Sequence, residues 1–242
     1  RSKDRGMPEE LNRIVTDHLS DLLWTPSPDG DKNLLKSGIE GSKIVRVGNI
    51  MIDTLVAMKP EIEQSPFTNN IPFQNNTFAI VTLHRPSNVD VEVTLTKLLD
   101  ELLIVSETMD LIWPLHPRTR SRIESLGRMN ELLDSASIHI MGPLGYIDFM
   151  NGIMHSACVI TDSGGIQEET TWLGVPCITL RPNTERPITI TEGTNILATA
   201  ESLQSELQQI QKSVNTGRKT IEFWDGKTAQ RCVKSLELFL KR

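Results

Sequence analysis

Cysteine is scarce in this 242-residue sequence, and long hydrophobic runs are missing from it. The three cysteines are an odd number without the pairwise spacing of metal ligands, which argues against a disulfide framework and a structural zinc site. Such cysteine usage fits a reducing, cytoplasmic environment best. No apolar run approaches the roughly 18 to 20 residues that span a bilayer, so the sequence predicts no transmembrane segment. The cysteines are Cys158, Cys177 and Cys232.

Positive charge is not in excess either. Lysine and arginine together number 25, against 31 aspartates and glutamates, and the formal net charge is -6. This balance excludes a protein that holds nucleic acid or an anionic membrane by counterion release. Apolar residues make up 38% of the chain and charged residues 23%, close to globular averages, so the chain can build a packed core. We therefore expect a globular protein with neither nucleic acid nor a membrane as partner.

Short β-branched runs alternate with amphipathic stretches, which is typical of parallel strands alternating with helices. The sequence predicts a doubly wound α/β domain, preceded by a segment too small to bury a core of its own. The leading part has a predicted helix from Pro8, a strand over 22–25, a turn over 26–30, a strand over 43–47, a helix over 50–58 and a surface connection over 61–76. The regular part has predicted strands over 78–83, 111–115, 138–141, 158–161 and 177–180, and helices over 91–106, 119–133, 165–173, 200–213 and 227–240.

The most informative segment is a hydrophobic strand that breaks at Ser163-Gly164-Gly165 and restarts as a helix. Two glycines let the backbone approach a ligand, the free N–H groups of the first helical turn attract anions, and Ser163 adds a hydroxyl donor. This geometry suits a diphosphate at the carboxyl end of a parallel strand. A plain tight turn explains the residues equally well, with Ser163 as the helix cap and Glu168 and Glu169 complementing the helix dipole.

Glu169 favours the nucleotide interpretation. A carboxylate one turn into such a helix is suited to hydrogen bonding the vicinal hydroxyls of a ribose. The next predicted strand leads into a proline-limited loop that carries Arg181 and Arg186, and a guanidinium there could lie over an anion. For an isolated arginine, a solvated loop with paired charges is the more common outcome.

His84 stands at the end of a predicted buried strand, and His116 repeats that position one strand later. A histidine at a strand end can donate to a leaving phosphate or transfer a proton, although a lone histidine is more often structural. Strand 138–141 is followed by a tight turn and a predicted helix start, which carry Tyr146 and Phe149. An aromatic ring beside exposed backbone amides suits a flat base, but such rings are more often part of a core.

Six segments together resemble the UDP-N-acetylglucosamine 2-epimerase family in order and spacing across nearly the whole chain. The most specific are Asp-Ser-Gly-Gly-Ile-Gln-Glu-Glu over 162–169 and Thr-Glu-Arg-Pro over 184–187. The resemblance implies the GT-B architecture, in which two Rossmann-like domains face each other across a cleft and UDP binds mainly to the second. The other segments are residues 8–13, 84–85, 142–146 and 192–194.

The resemblance also implies a role for each candidate residue. His84 would stabilise the departing UDP, and Glu9 would be one of the acidic residues at the sugar. Arg85 and His116 resemble an arginine and a histidine of a regulatory second UDP-GlcNAc site in the non-hydrolysing branch. The substrate-binding positions would be the Leu144 backbone and the Phe149 ring at the uracil, Ser163, Gly164 and Gly165 at the diphosphate turn, Glu169 at the ribose, and Arg186 on the phosphate side of the cleft.

In the family, UDP leaves by anti-elimination to give a 2-acetamidoglucal, and it re-adds after reprotonation at C2 from the other face. The resemblance therefore implies neither a nicotinamide cofactor nor a metal, in agreement with a sequence that has no Gly-x-Gly-x-x-Gly fingerprint. The Arg85 and His116 matches favour the non-hydrolysing branch over relatives that release N-acetylmannosamine and UDP. A UDP-sugar glycosyltransferase and a non-catalytic nucleotide-sugar binding module remain alternatives.

Family members are longer than this chain, and the resemblance assigns its parts accordingly. Residues 1–45 would be the remnant of an N-terminal Rossmann-like domain, residues 46–222 the UDP-binding domain and residues 223–242 the crossover helix. We therefore expect a chain truncated at its N-terminus that keeps a UDP half-site but does not epimerise alone. The full-length enzyme would be a homodimer.

Overall fold

The computed structural model describes residues 8–212 and 220–241. The first two strands of the chain form a small parallel sheet. Thr25 pairs with Arg46 in this sheet, and the Nε of Arg46 donates to Asp31 at 2.8 Å, which ties a helix to the strands. The elements of this small-sheet unit are α1 (Pro8–Leu19), β1 (Leu23–Thr25), α2 (Pro28–Lys36) and β2 (Ile44–Arg46).

The larger sheet consists of six strands, all parallel. They are β3 (Phe78–Thr82), β4 (Asp110–Pro114), β5 (Ile138–Met141), β6 (Cys158–Thr161), β7 (Cys177–Leu180) and β8 (Asn195–Ala198). Their order across the sheet is β5-β4-β3-β6-β7-β8. Ile80 pairs with both Ile112 and Val159 in the centre, and all three are fully buried because helices cover both faces. The predicted doubly wound α/β fold is confirmed.

Two apolar clusters fill the space between this sheet and its helices. One includes Leu99 and Leu207 on one face, and the other includes Ile52 and Met150 on the opposite face. The helices are α3 (Ile50–Gln64), α4 (Pro86–Val89), α5 (Glu92–Ser106), α6 (Pro117–Ser125), α7 (Met129–Leu133), α8 (Tyr146–His155), α9 (Gly164–Leu173), α10 (Ile188–Thr191), α11 (Leu203–Lys212) and α12 (Thr228–Leu240). Across the described ranges, none of these helices has the length and apolar character needed to cross a membrane.

The predicted surface connection over 61–76 is wrong in its first part, because α3 continues through Pro60 to Gln64. The last turn of this helix is held by tertiary contacts. Ile62 is fully buried, and its carbonyl accepts a hydrogen bond from the Asn151 side chain at 2.8 Å. Burial therefore outweighs the cost of a proline inside the helix.

Other elements also differ from the sequence prediction. The strand β8 and the short helices α4 and α10 were not predicted. The predicted turn over 26–30 contains the start of α2, and the predicted helix over 119–133 is two helices, α6 and α7. The predicted helix over 200–213 begins at Leu203, and its residue 213 lies outside the described residues.

The helix α12 lies against the small sheet. The indole N–H of Trp24 donates to the Ser235 hydroxyl at 3.1 Å, and a cavity of about 270 Å³ lies between β2 and this helix. The predicted boundary between the first and second domains, after residue 45, falls inside β2 (Ile44–Arg46). The three predicted domains stay a prediction, and their residues 1–7, 213–219 and 242 lie outside the described part of the chain.

Candidate active site

The candidate site lies where the connections of the larger sheet diverge. β3 and β6 are neighbours, but β3 leads to β4 on one side and β6 leads to β7 on the other. Ligands of open α/β sheets bind in the crevice outside the carboxyl ends of the strands at such a switch point. His84 follows β3 and Ser163 follows β6, so the structure brings these two predicted residues to the same crevice.

A fully buried carboxylate, that of Asp162, joins the two strand ends. It accepts the backbone N–H of His84 at 3.0 Å, the backbone N–H of Arg85 at 2.9 Å and the side-chain amide of Asn88 at 3.2 Å. The His84 ring Nδ1 also lies 3.2 Å from an oxygen of Asp162. Sequence reasoning did not assign Asp162 a role, although an acidic residue directly after a strand of the fully buried type was a usable signal.

The two strand-end histidines lie near each other, with ring centroids 6.0 Å apart. The side chain of His84 is 42% exposed, so its ring is open to the crevice. The Nδ1 of His116 instead accepts the backbone N–H of Arg118 at 3.2 Å and caps α6. Helix capping is a structural role for His116, and its place in a regulatory site stays a prediction.

Ser163 is the N-cap residue of α9, as the tight-turn alternative predicts, but among the described residues its side chain makes no capping hydrogen bond. At Gly164 a β-carbon would lie 2.5 Å from Nη1 of Arg186, so a side chain there would displace the flexible end of that arginine. At Gly165 the nearest atom to such a carbon would be Cε of Met51, at 3.9 Å. The guanidinium therefore packs directly on the N-terminal turn of α9, where backbone N–H groups and helix dipole favour an anion.

Arg186 is held by two glutamates. Its Nε lies 2.8 Å from a Glu168 oxygen, and its Nη1 lies 3.5 Å from a Glu185 oxygen. Glu185 also accepts two hydrogen bonds from Arg181, at 3.2 and 3.1 Å. Burial raises the pKa of Glu185, but the hydrogen bonds from Arg181, a backbone hydrogen bond and the positive charges of Arg181 and Arg186 together outweigh it and lower the pKa to about 2. The loop is therefore an ordered network of charges and not a freely solvated segment.

Three guanidiniums lie at this edge of the sheet among the carboxylates already described, those of Arg85, Arg181 and Arg186. The Nε of Arg85 donates to the Asp162 carbonyl at 3.1 Å. Burial and the positive charge of Arg181 lower the pKa of Arg85, which shows that these guanidiniums repel one another. A bound anion would relieve that repulsion.

Glu169 lies one turn into α9 and is only 5% exposed. The Tyr146 hydroxyl donates to its Oε1 at 2.9 Å. Burial, offset in part by this hydrogen bond, raises the pKa of Glu169 to about 7. Burial and the negative charge of Glu169 in turn raise the pKa of Tyr146. The Glu169 carboxylate therefore already serves as an acceptor for a hydroxyl group.

The remaining predicted site residues, Leu144, Phe149 and Glu9, lie on other elements of the fold. Leu144 is half-buried in the loop between β5 and α8, and Phe149 packs against the apolar cluster that includes Ile52. Glu9 is exposed on α1 in the small-sheet unit, whereas the next residue, Glu10, is buried. The place of Glu9 at the sugar and the role of Phe149 at a base both stay predictions.

A cavity of about 210 Å³ lies between the small-sheet unit and the larger domain. Arg13 of α1 lines one side, and Glu168 and Arg186 line the other. The α1 helix therefore borders the same charged loop as the α9 turn. Within the described part of the chain, no three histidine, cysteine, aspartate or glutamate side chains are grouped as a metal site.

These features define a doubly wound α/β protein with a candidate anion site in the crevice at the switch point of its sheet. The family model described as UDP-N-acetylglucosamine 2-epimerase matches residues 1–237, and the chain belongs to this family.

Individual relatives support the same assignment. The UDP-N-acetylglucosamine 2-epimerase of Methanocaldococcus jannaschii is 37% identical over 244 residues, which cover 98% of this chain and 66% of the relative. That of Methanococcus maripaludis is 38% identical over 224 residues, covering 90% of this chain and 61% of the relative. The chain thus spans less than two thirds of the length of these curated relatives.

A solved structure confirms the GT-B-like fold. The crystal structure of the Methanocaldococcus jannaschii UDP-GlcNAc 2-epimerase, in complex with UDP-GlcNAc and UDP, matches with a TM-score of 0.86 and 36% sequence identity. The match covers 98% of this chain and 67% of that chain.

Proposed function

We propose that this chain supplies the UDP-binding half of a UDP-N-acetylglucosamine 2-epimerase, which interconverts UDP-GlcNAc and UDP-ManNAc. The observation that carries the proposal is the contact between Gly164 and Arg186 at the start of α9. Backbone N–H groups, a free serine hydroxyl and a guanidinium converge there, and this is the donor set that a diphosphate needs. Family membership supplies the substrate class.

Recognition of the nucleoside would fall to the next turn of α9. Glu169 is buried, accepts a hydroxyl donor already, and lies on the same helix as the diphosphate turn. Ribose hydroxyls would compete with or join Tyr146 at this carboxylate. The Leu144 backbone and Phe149 ring would then flank the uracil.

The reaction would proceed by elimination and re-addition. A base removes the C2 proton of the sugar while the C1–O bond to UDP breaks, and the electron pair forms the double bond of 2-acetamidoglucal. The diphosphate leaves with its negative charge held by the α9 turn, Arg186 and His84. Reprotonation at C2 from the opposite face, with return of UDP to C1, completes the inversion. Glu9 would be one of the acidic residues at the sugar.

We further infer the non-hydrolysing branch, because Arg85 and His116 resemble the arginine and histidine of its regulatory second site. The position of both residues beside His84 and Asp162 supports this inference. The cysteines are free in the structure, in keeping with a cytoplasmic protein. A homodimer and a role in surface-polysaccharide precursor synthesis complete the proposal.

The test uses a fusion protein. The part of the Methanocaldococcus jannaschii relative that has no counterpart in this chain is fused to the complete chain, and the fusion protein is incubated with UDP-GlcNAc in D₂O. We expect deuterium at C2 and formation of UDP-ManNAc. His84→Ala should abolish exchange while UDP still binds, and His18→Ala, on exposed α1, should leave exchange intact. UDP binding without any exchange by the parent fusion would contradict the proposed activity. Release of free N-acetylmannosamine would contradict the non-hydrolysing branch.

A further inference from the structure

Glu168 connects the candidate phosphate site to the segment that leaves the small sheet. One carboxylate oxygen accepts a hydrogen bond from the Asn49 side chain at 2.8 Å, and the other lies 2.8 Å from Nε of Arg186. The carboxylate is 7% exposed. A charge buried to this extent is stable only where partners meet both of its oxygens, and these two residues provide them.

The Asn49 end of this link is fixed. The Asn49 side chain accepts the backbone N–H of Met51 at 3.0 Å and caps α3. The preceding residue, Gly48, has a φ of +98°, and a β-carbon there would collide with the carbonyl of Phe223. Arg231 donates to the carbonyls of Val47 and Phe223, at 3.1 and 3.3 Å. The chain segment before α3 and the one before α12 are therefore locked against each other.

The Arg186 end faces the ligand. Its Nη1 lies over Gly164 at the α9 turn, while its buried Nε lies 2.8 Å from a Glu168 oxygen as an ion pair, without a hydrogen bond among the described residues. The ion pair at Nε and the close packing of Nη1 on the α9 turn together restrict where this planar group can lie. With Glu168 on the Nε side, the Nη1 end of the guanidinium lies at the diphosphate turn.

We propose that Glu168 is a positioning residue for diphosphate recognition: it orients Arg186 and anchors that orientation on Asn49, at the junction of the small sheet and the larger domain. This inference rests on the proposed UDP site. The sequence alone suggested only that Glu168 complements the dipole of α9, and orienting Arg186 is a separate role.

Two physical effects of Glu168 on a bound diphosphate have opposite signs. Its negative charge repels the anion, so neutralising it would tighten binding if charge alone mattered. Its hold on Arg186 favours binding, so losing it would weaken binding if orientation dominates. The direction of the change in affinity therefore distinguishes the two effects.

The experiment measures binding of UDP and of uridine to the full 242-residue chain and its variants by calorimetry and NMR titration. We expect Glu168→Gln to weaken UDP binding about tenfold, the effect of losing one charge-assisted contact, and to leave uridine binding unchanged. Asn49→Ala should weaken UDP binding to a smaller extent. Glu63→Gln, an exposed carboxylate on α3, is the charge-matched control and should change neither affinity.

A double variant tests whether Glu168 acts through the arginine. In an Arg186→Ala background, Glu168→Gln should cause no further loss of UDP affinity. Unchanged or tighter UDP binding by Glu168→Gln would overturn the inference, and so would equal losses for UDP and uridine, which indicate a general disturbance of the fold. If the parent chain binds no UDP, the proposed function itself fails. If UDP binds and depends on Arg186 but not on Glu168, only this inference fails.

Discussion

The backbone N–H of His84 donates to the carboxylate of Asp162 at 3.0 Å, and this bond ties the end of β3 to the end of β6. Arg85 and Asn88 share the same fully buried carboxylate. His84 lies on one side of this bond and Ser163 on the other. The shape of the crevice therefore depends on Asp162, which holds the chain segments of the two candidate ligand-binding residues, His84 and Ser163, together.

Asp162→Ala should destabilise the protein strongly. It removes the acceptor of several buried donors, and we expect the free energy of unfolding to fall by about 3 to 5 kcal/mol, the range for breaking a buried charged network. Asp162→Asn keeps one acceptor oxygen and should cost less. Urea denaturation measures both. Asp134→Ala, at an exposed position, should stay within about 0.5 kcal/mol of the parent. Equal effects at the two aspartates would refute the account of Asp162.

The stability of the protein should depend on pH through Glu169. Burial raises its pKa in the folded state to about 7 from 4.5, so the folded state binds this proton more tightly than the unfolded state does. The resulting stabilisation is fully present below about pH 4.5 and is lost as the pH rises through about 7. Glu169→Gln should therefore raise the free energy of unfolding more at pH 8 than at pH 5, by up to about 3 kcal/mol.

The matched control for this pH effect is Glu63→Gln, which removes an exposed carboxylate on α3. Its effect on the free energy of unfolding should be small at both pH values. A Glu169→Gln curve that runs parallel to that of the parent between pH 5 and 8 would show that Glu169 titrates normally.

Gly164→Ala should weaken UDP binding with little effect on stability. The new β-carbon would lie 2.5 Å from Nη1 of Arg186, and the flexible end of that side chain must move away from the α9 turn. We expect a loss of affinity of about tenfold, measured by calorimetry. Gly41→Ala, where the nearest contact would be an ordinary 3.8 Å, is the control. Unchanged UDP affinity in Gly164→Ala would exclude Arg186 from the site.

Glu169→Ala should weaken UDP binding through lost hydrogen bonds to the ribose. The expected cost is about 1.5 to 3 kcal/mol, the range for hydrogen bonds to a charged group. Binding of 2′-deoxy-UDP should be affected less, because it offers one hydroxyl fewer. Calorimetry with both ligands separates this effect from a general loss of folding. Identical affinities for UDP before and after the substitution would reject the ribose assignment.

The strand–turn–helix over β6 and α9 was predictable because its signals are local. A short strand with three successive apolar residues, two glycines and a helical pattern lie within 16 consecutive residues, over 158–173. The sixth strand was not predictable in this way. β8 opens with Asn195, a polar residue that is buried because its side chain accepts a hydrogen bond from Thr179 at 2.6 Å. Pairing with β7, and not its own composition, makes this segment a strand.

The network behind the site was also beyond local sequence reasoning. The partners of Glu168 are Asn49, 119 positions away, and Arg186 on the loop after β7. The donors to Asp162 come from a loop 74 to 78 residues earlier. Such pairs exist only because parallel strands bring distant chain segments to one edge of the sheet. The residues that face the ligand were therefore easier to identify than the residues that hold them.

The central claim is that UDP binds with its diphosphate at the start of α9, and NMR titration of the ¹⁵N-labelled chain with UDP tests it most directly. The largest shifts are expected at the backbone amides of Ser163, Gly164 and Gly165, and uridine without phosphate should shift them much less. Largest shifts at residues that line the cavity between β2 and α12, with the α9 turn unaffected, would contradict the account.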